Sequence, residues 1–461
     1  MSIVPKPQVY TENGILSIAP HVQADERLVF CVKAFSRMAH KLYGVRFSAG
    51  EGGIALRYDE TLAKDEYRIK GAEVYASSVE GGGYGLSTML QIMECADGAL
   101  TIKDTEIFQK PQRDYRAFFT DLARGWHDFD FLLSYVDLCY LNKYRYFQLH
   151  LMDDQGWTMP LDCFPQVADP VYSYTKAEIR YLVEYAYEAG VIVIPEFEGV
   201  GHSRWLIKYA PEQFGNDFGE NSDIDDNVMC IGREGIFESI ETILRELADV
   251  FHYSPYIHIG CDEAFHEKWE HCPRCRAYME KHGITGTKSL YTHFVSKIAN
   301  ICLSVGKTPV VWEGFAAEEA DQIPKETIIV IWESYYQLAT EALASGFKII
   351  NASWKPMYVV PDTRPNIKWN IAEEEWDLYT WQNWNKKSPA YVPMHVEPTE
   401  QVIGSMFCQW ECTPEEERQY LLLNFPIAAD RTWNVEGYYS QEEIASAGEK
   451  LYALQEKLFV L

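Results

Sequence analysis

The sequence predicts an α/β protein, a (β/α)8 TIM barrel preceded by a smaller α+β N-terminal domain. The chain of 461 residues is long enough for a barrel of about 250 residues and an accessory domain. From Tyr115 onward, apolar segments alternate eight times with amphipathic segments. Acids and tryptophans recur where the apolar segments end, which is the end of a barrel that carries function. The expected domains are 1–112, the catalytic barrel at 113–435, and a C-terminal helix packed on the barrel at 436–461.

Short elements of mixed type fill the first 112 residues, as in a compact α+β domain. Runs of apolar residues predict strands there, and apolar residues at helical spacing predict helices. A glycine-rich run at 80–85 comes directly before the second of the predicted helices. The predicted strands are 28–32, 54–58 and 66–70, and the predicted helices are 33–42 and 86–93.

The barrel region shows the alternation most clearly. The predicted strands are 117–121, 146–151, 191–197, 256–260, 308–312, 328–332, 347–351 and 402–408. Helices between them include 129–141, 176–189, 234–250, 290–305 and 336–345. The strand ends carry Asp121, Arg124, Asp153, Asp154, Glu196, Glu198, Asp262, Glu263, Trp312, Glu313, Trp332, Glu333, Trp410 and Glu411. Packing alone does not explain acids and tryptophans at almost every strand exit.

Composition narrows the range of partners and compartments. A net charge of −27 argues against nucleic acids and anionic membranes, which would repel this surface. Aromatic residues make up 14% of the chain, which suits either a large core or flat platforms for sugar rings. No apolar run suggests a signal peptide or a membrane span. Eleven cysteines, an odd number, indicate reduced thiols in a cytoplasmic protein.

The segment 258–263, HIGCDE, has the richest chemistry. On a strand, His258, Gly260 and Asp262 share one face, and Glu263 follows just beyond the strand end. Burial beside a second carboxylate raises the pKa of a carboxyl group, so we expect Glu263 to be able to donate a proton at neutral pH. The alternative is an ordinary acidic loop at the end of a strand.

The segment resembles the His-x-Gly-Gly-Asp-Glu signature of the family 20 glycoside hydrolases, the β-N-acetylhexosaminidases. Further segments resemble that family in the same order along the chain. They are GYGLSTMLQ at 83–91, YRAFFTD at 115–121, HLMDDQGW at 150–157 and IPEFEGVGHS at 194–203. The resemblance covers nearly the whole chain and implies an exo-acting enzyme that releases terminal GlcNAc or GalNAc from β-linked glycans.

The resemblance also implies a mechanism in which the substrate's own acetamido carbonyl attacks the anomeric carbon, giving an oxazolinium intermediate. Glu263 would protonate the leaving oxygen and then activate water. Asp262 would orient the acetamido group. Arg116 would bind sugar hydroxyls through its planar guanidinium. Asp153 and His202 match a pair that supports the carboxylates in the family. The sequence is equally compatible with the alternative that they are ordinary buried polar groups.

Aromatic residues complete the expected site. Trp312, Trp332 and Trp410 match the indoles that enclose the acetamido methyl group in the family, although a single tryptophan more often belongs to a core. Trp376 and Trp381 are expected at the rim of the same pocket.

A tyrosine should donate a hydrogen bond to the acetamido oxygen. Tyr358 is the first choice because it follows the seventh predicted strand, and Tyr379 is the reserve.

Two positions depart from the family pattern. Cys261 replaces the second glycine of the signature. The eighth-strand motif Trp-x-Glu reads Trp410-Glu411-Cys412, so the glutamate that would bind the outer hydroxyls is displaced by one residue. Either Glu411 substitutes from a shifted loop, or this contact is lost.

No cofactor is expected. Cys272 and Cys275 form a Cys-x-x-Cys pair with His266, His271 and His282 nearby, a weak zinc signal for which plain reduced thiols are the favoured reading.

The residues alone are also compatible with two other functions. One is a metal-dependent barrel hydrolase with His258, Asp262, His266 and cysteines as ligands, and the other is an inactive sugar-binding barrel. The expected partner is a carbohydrate with a terminal 2-acetamido sugar, with neither nucleic acid nor membrane as a partner and an undetermined oligomeric state.

Overall fold

A computed structural model describes residues 3–218, 227–334, 336–361, 371, 376–385 and 390–459. The N-terminal part is a mixed sheet covered by two helices. Its strands follow the order β1-β8-β5-β6-β4-β2-β3, with β7 also paired to β8. The elements are β1 (Val9–Ser17), β2 (His21–Ala24), α1 (Val32–Tyr43), β3 (Ser48–Ala49), β4 (Ile54–Tyr58), β5 (Tyr67–Lys70), β6 (Glu73–Ala76), α2 (Val79–Ile92), β7 (Met93–Ala96) and β8 (Ala99–Gln109).

The strand predicted at 28–32 is wrong, because Val29–Cys31 forms a 3-10 turn that leads into α1. Leu28 and Cys31 are buried, whereas Val29 and Phe30 are exposed. A burial spacing of three residues suits a helical turn and not a strand, whose buried positions alternate.

The glycine-rich run at 80–85 is part of helix α2, which therefore begins before the predicted start at residue 86. Ser78 caps α2 by accepting a hydrogen bond of 3.0 Å from the Gly81 N–H. A Cβ atom on Gly81 would lie 2.5 Å from the Glu66 carbonyl oxygen, and one on Gly85 would clash with Val74. These glycines therefore let the helix lie close to the sheet.

The rest of the chain confirms the predicted (β/α)8 barrel. Eight parallel strands form a closed ring, because the first and seventh strands both pair with the eighth. The barrel strands are β9 (Tyr115–Asp121), β10 (Tyr146–His150), β13 (Ile192–Glu196), β14 (Tyr256–His258), β15 (Thr308–Trp312), β16 (Ile328–Ile331), β17 (Lys348–Asn351) and β21 (Val402–Gln409). The short strands outside this ring are β11 (Met152–Asp153), β12 (Gly156–Trp157), β18 (Tyr358–Val359), β19 (Thr380–Asn385) and β20 (Ala390–His395).

Helices surround the barrel, and several begin at capping boxes. Thr175, Thr413 and Ser440 each cap a helix together with a glutamate three residues later. The helices are α3 (Phe129–Asn142), α4 (Lys176–Glu188), α5 (Arg204–Tyr209), α6 (Pro211–Phe214), α7 (Ile236–Val250), α8 (Pro273–His282), α9 (Thr287–Ser304), α10 (Ala339–Ala344), α11 (Trp354–Met357), α12 (Pro414–Trp433) and α13 (Gln441–Glu456). In the described part of the chain, no helix combines the length and apolar character that a membrane crossing requires.

The seventh strand of the barrel is interrupted, and this positions part of the site. Its lower part, β17, pairs with the start of β21, where Asn351 lies opposite Ser405. The chain then leaves the sheet through α11 and returns as β18, which pairs with the end of β21 at Cys408. Tyr358 is thereby carried to the carboxyl end of the barrel.

Candidate active site

One pocket lies at the carboxyl end of the barrel, where the fold predicts function. Its walls come from the loops that follow most of the barrel strands, so residues distant in the sequence face each other. The lining residues are Arg124, His202, Asp262, Glu263, Trp332, Trp354, Tyr358, Val360, Trp410 and Glu411. Seven of these ten were predicted for the site from the sequence.

A run of left-handed residues follows β14 and presents two adjacent carboxylates to the pocket. Gly260, Cys261 and Glu263 have φ values of 62°, 84° and 42°. Cys261 thus keeps a backbone conformation that favours glycine, which costs about 1 kcal/mol or more. Asp262 is buried, whereas the Glu263 side chain is 50% exposed. The adjacent carboxylates therefore occupy different environments.

His202 links the two carboxylates to a supporting acid. Its Nε2 lies 3.5 Å from Glu263 Oε2 and 3.9 Å from Asp262 Oδ2, and its Nδ1 lies 3.3 Å from Asp153 Oδ1. Burial alone would lower the pKa of His202, but Asp153 and the carboxylate pair raise it well above its usual value. His202 is therefore a cation at neutral pH, and the predicted Asp153–His202 pair is assembled behind the carboxylates.

Asp153 is held as an anion. Its Oδ2 lies 3.0 Å from His150 Nε2 and 3.3 Å from Arg124 Nη2. Burial alone would raise the pKa of Asp153, but His202, His150 and Arg124 hold it well below its usual value. This carboxylate fixes the orientation of His202 at the base of the pocket.

The raised pKa that we expected for Glu263 belongs to Asp262 instead, so this expectation is wrong. The hydrogen bond with His202 lowers the pKa of Glu263 by more than its partial burial raises it. Burial raises the pKa of Asp262 to about 6, and the neighbouring Glu263 and Glu196 contribute, while His202 acts against them. The pKa values of the two carboxyl groups differ because Glu263 is more exposed than Asp262 and forms a hydrogen bond with the His202 cation.

A buried layer of acids and histidines lies below the pocket. Burial would raise the pKa of Glu196, but His258 and His150 hold it well below its usual value. Burial and the nearby Asp262 and Glu196 raise the pKa of Glu198 well above its usual value. A Cβ atom on Gly260 would clash with the Glu198 carboxyl group, so this layer requires glycine there.

Indoles and a tyrosine form the aromatic wall. The rings of Tyr358 and Trp332 are parallel, with centroids 6.4 Å apart, and Tyr358 lies 5.9 Å from Trp410. Burial raises the pKa of Tyr358 well above its usual value, so its hydroxyl group remains a donor. Trp312 lies beneath Trp410, at 5.8 Å, and donates a hydrogen bond of 2.8 Å to Glu196. Trp354 was missed by the sequence reasoning because it lies on α11, outside the regular strand exits.

Glu411 reaches the pocket despite its displaced position in the sequence. Its backbone is left-handed, with a φ of 58°, and its N–H lies 3.2 Å from Asp121 Oδ2. Its carboxylate lies 3.2 Å from Arg124 Nη1. The structure therefore favours the first alternative, in which Glu411 occupies the pocket wall from a shifted loop.

The prediction of Arg116 as a sugar-binding residue is wrong. Arg116 lies near the start of β9, about 16 Å from the end of that strand. It is buried, and its Nη2 donates a hydrogen bond of 2.7 Å to the Tyr84 hydroxyl group in the N-terminal domain. Arg124 lines the pocket instead, with its Nε 2.8 Å from Asp121 Oδ2. The signal was present in the sequence, since Arg124 was among the residues at strand exits.

The aromatic residues predicted between 376 and 381 also lie elsewhere. Trp376 packs against Arg431, near the end of α12, so its assignment to the pocket rim is wrong. Trp381 is buried and donates a hydrogen bond to the Ile331 carbonyl oxygen, outside the lining. The Tyr379 hydroxyl accepts a hydrogen bond of 2.5 Å from Arg113, at the amino end of the barrel. Of the two candidate tyrosines, only Tyr358 lines the pocket.

The ligand set of the alternative metallohydrolase is not assembled. Three groups of metal-binding residue types lie close together within the described residues, and none contains His258 or His266. His258 pairs with Glu196, whereas His266 faces Thr287. The groups are Cys230 with Cys272 and Cys275, His150 with Glu196 and Glu198, and Asp153 with Asp154 and His202.

A barrel with paired carboxylates, an arginine and indoles around one pocket at its carboxyl end has the architecture of a glycoside hydrolase. The model of the glycosyl hydrolase family 20 catalytic domain matches residues 114–436. The chain therefore belongs to glycoside hydrolase family 20, and the resemblance found in the sequence is confirmed.

Relatives named as beta-hexosaminidases agree with this assignment. A beta-hexosaminidase of Vibrio furnissii is 31% identical over 331 residues, which are 65% of this chain and 54% of that protein. The human beta-hexosaminidase subunit beta is 26% identical over 294 residues, which are 61% of this chain and 52% of that subunit. The matched stretches thus span about half the length of these two relatives.

Solved structures show the same fold. The family 20 exo-beta-N-acetylglucosaminidase of Vibrio harveyi, in complex with N-acetylglucosamine, superimposes with a TM-score of 0.82 at 22% identity, covering 100% of this chain and 78% of that one. The beta-N-acetylhexosaminidase of Streptomyces coelicolor A3(2) gives 0.78 at 20% identity, covering 99% and 96%.

Proposed function

We propose that this protein is an exo-acting β-N-acetylhexosaminidase that removes terminal GlcNAc or GalNAc from β-linked glycans with retention of configuration. The observation that carries the proposal is the Asp262–Glu263 pair, joined through His202 at the mouth of an aromatic pocket. Family membership and beta-hexosaminidase relatives support it. A binding module would not need two adjacent carboxylates with different protonation behaviour, which counts against an inactive barrel.

The reaction proceeds in two steps without a nucleophile from the protein. In the first, the acetamido carbonyl oxygen of the substrate attacks C1 while Glu263 gives a proton to the leaving glycosidic oxygen. In the second, Glu263 takes a proton from water, which attacks C1 and opens the oxazolinium ring. The Asp262 carboxylate accepts a hydrogen bond from the acetamido N–H and stabilises the positive charge that develops there.

Glu263 must carry a proton for the first step, although its hydrogen bond with His202 lowers its pKa. A bound sugar covers this half-exposed side chain and removes it from water, which raises the pKa of a carboxyl group. Binding of the substrate and protonation of Glu263 are therefore coupled.

Three further residues act on the substrate. Tyr358, which keeps its proton, donates a hydrogen bond to the acetamido oxygen and holds it in the geometry for attack. Arg124 and Glu411, which lie side by side, bind the hydroxyl groups of the terminal sugar.

A panel of aryl β-glycosides tests this function. GlcNAc and GalNAc glycosides should be hydrolysed, whereas the matched β-glucoside, which lacks the acetamido group, should react negligibly. A thiazoline analogue of the intermediate should inhibit strongly, because it resembles the state that the pocket stabilises. Efficient hydrolysis of the glucoside, or indifference to the thiazoline, would contradict the proposal.

The cytoplasmic location and the lack of nucleic acid and membrane partners remain predictions. All eleven cysteines are free in the structure, which supports the first of them. Cell fractionation with antibody detection tests the location.

A further inference from the structure

Three cysteines from two different loops meet away from the pocket. Cys230 belongs to the long connection between β13 and α7, and Cys272 and Cys275 lie at the start of α8, after β14. The sulfur of Cys230 is 3.6 Å from the sulfur of Cys272 and 3.6 Å from that of Cys275. All three side chains are buried. The sequence showed only the Cys-x-x-Cys pair, and the fold adds the third thiol.

These distances suit a shared metal ion. In a tetrahedral zinc site with Zn–S bonds of about 2.3 Å, two sulfurs lie about 3.8 Å apart. A disulfide bond would bring two of the sulfur atoms to about 2.05 Å from each other and leave the third cysteine unpaired. The Asn216 side-chain oxygen lies 3.6 Å from the Cys275 sulfur and offers a fourth ligand. Three thiols and one oxygen form a site that favours zinc over the hard cations.

The position of Cys272 also favours the thiolate that a metal requires. Cys272 directly precedes the first turn of α8, where the helix dipole stabilises negative charge.

The two loops are packed tightly around this cluster. The Trp269 indole donates a hydrogen bond of 2.8 Å to the Met229 carbonyl oxygen, and Lys268 donates one of 2.6 Å to Asn227. A Cβ atom on Gly232 would clash with the backbone of Arg274. The ligands are thus held in place by packing on both sides.

We propose that Cys230, Cys272 and Cys275 bind a structural zinc ion, with the Asn216 side-chain oxygen as the fourth ligand. The ion joins the loop that follows His202 to the loop that follows Glu263, and so stabilises the two segments that carry the proton-transfer residues. None of its ligands lines the pocket, so the ion takes no part in the reaction.

Metal analysis of the purified full-length protein tests the proposal. Elemental analysis should find about one zinc ion per chain. Cys230→Ser and Cys275→Ser should each lower the zinc content at least about tenfold. Cys302→Ser, which alters a buried thiol on α9, should keep it and serves as the matched control.

A second measurement keeps the test decisive if the serine variants fail to fold. The wild-type protein should release zinc when a mercurial reagent titrates its thiols. Replacement by cobalt should give thiolate-to-cobalt charge-transfer absorption and tetrahedral ligand-field bands. A folded wild-type protein without zinc that also fails to take up zinc or cobalt, or a disulfide between two of these cysteines in the native protein, would overturn the proposal. These outcomes are independent of glycoside hydrolysis.

Discussion

At the scale of single residues, the site depends on two adjacent carboxylates that behave differently. Asp262 is buried and its pKa is raised to about 6, so it is ionised at neutral pH but readily neutralised below it. Glu263 is half exposed, and its hydrogen bond with His202 lowers its pKa. In the proposed mechanism, Asp262 binds the acetamido group as a carboxylate, and Glu263 transfers the proton after the bound sugar has raised its pKa.

Glu263→Gln should keep the fold and sugar binding but lose about 100-fold or more of the hydrolysis rate for glycosides with poor leaving groups. An amide retains the shape of the side chain and cannot transfer the proton. Aryl glycosides with good leaving groups should lose less in the first step. Steady-state kinetics over a series of leaving groups measures this, and wild-type rates throughout would remove Glu263 from its role.

Tyr358→Phe should lower the rate by about 10- to 1,000-fold, the range for loss of one transition-state donor. Tyr379→Phe removes the same hydroxyl group from a residue whose partner is Arg113, outside the pocket, and should change the rate far less. Kinetics of both variants on an aryl GlcNAc glycoside compare them. The opposite ranking would transfer the role to Tyr379.

Arg124→Lys should lower kcat/KM by about tenfold or more, because lysine cannot reproduce the planar donor pair. Arg116→Lys should lower the melting temperature instead, since Arg116 packs against Trp433 and bonds to Tyr84. Kinetics and thermal unfolding of both variants separate the two roles. A loss of kcat/KM confined to the Arg116 variant would restore the assignment made from the sequence.

At the scale of elements, the alternation of apolar and polar segments along the sequence predicts which segments are strands. It does not predict every contact that their side chains make. All eight barrel strands were predicted with small errors at their ends, because apolar runs bounded by polar loops report burial directly. The segment YRAFFTD was recognised correctly, yet Arg116 was assigned to the wrong end of its strand. Trp376 and Trp381 were misplaced because no local pattern in the sequence shows that Trp376 packs against Arg431 or that Trp381 bonds to the Ile331 carbonyl oxygen. Close packing explains why the glycines of α2 did not end that helix.

The left-handed turn after β14 gives a prediction at this scale. Gly260→Ala would place a Cβ atom against the Glu198 carboxyl group in a backbone with a φ of 62°. We expect a loss of about 3 kcal/mol or more in the free energy of unfolding, together with loss of activity. Gly283→Ala has a similar φ of 65° and open space around it, so it should cost only about 1–2 kcal/mol. Chemical denaturation measures both, and equal losses would show that backbone strain alone decides the cost.

At the scale of the whole molecule, the N-terminal domain contacts the barrel near the end opposite the pocket. Arg116 and Trp433 meet Tyr84 there, and Gln91 bonds to the carbonyl oxygens of Val4 and Leu141. The barrel thus has one end devoted to packing and one to chemistry, as its fold leads one to expect.

The central claim is that the substrate's own acetamido oxygen is the nucleophile, and one series of substrates tests it most directly. Aryl β-glycosides whose N-acetyl group carries none, one, two or three fluorine atoms have progressively less nucleophilic carbonyl oxygens and nearly the same size. The account predicts that kcat falls steeply and continuously along the series, by about 100-fold or more in total. A rate that is independent of fluorination would contradict it and require a nucleophile from the protein.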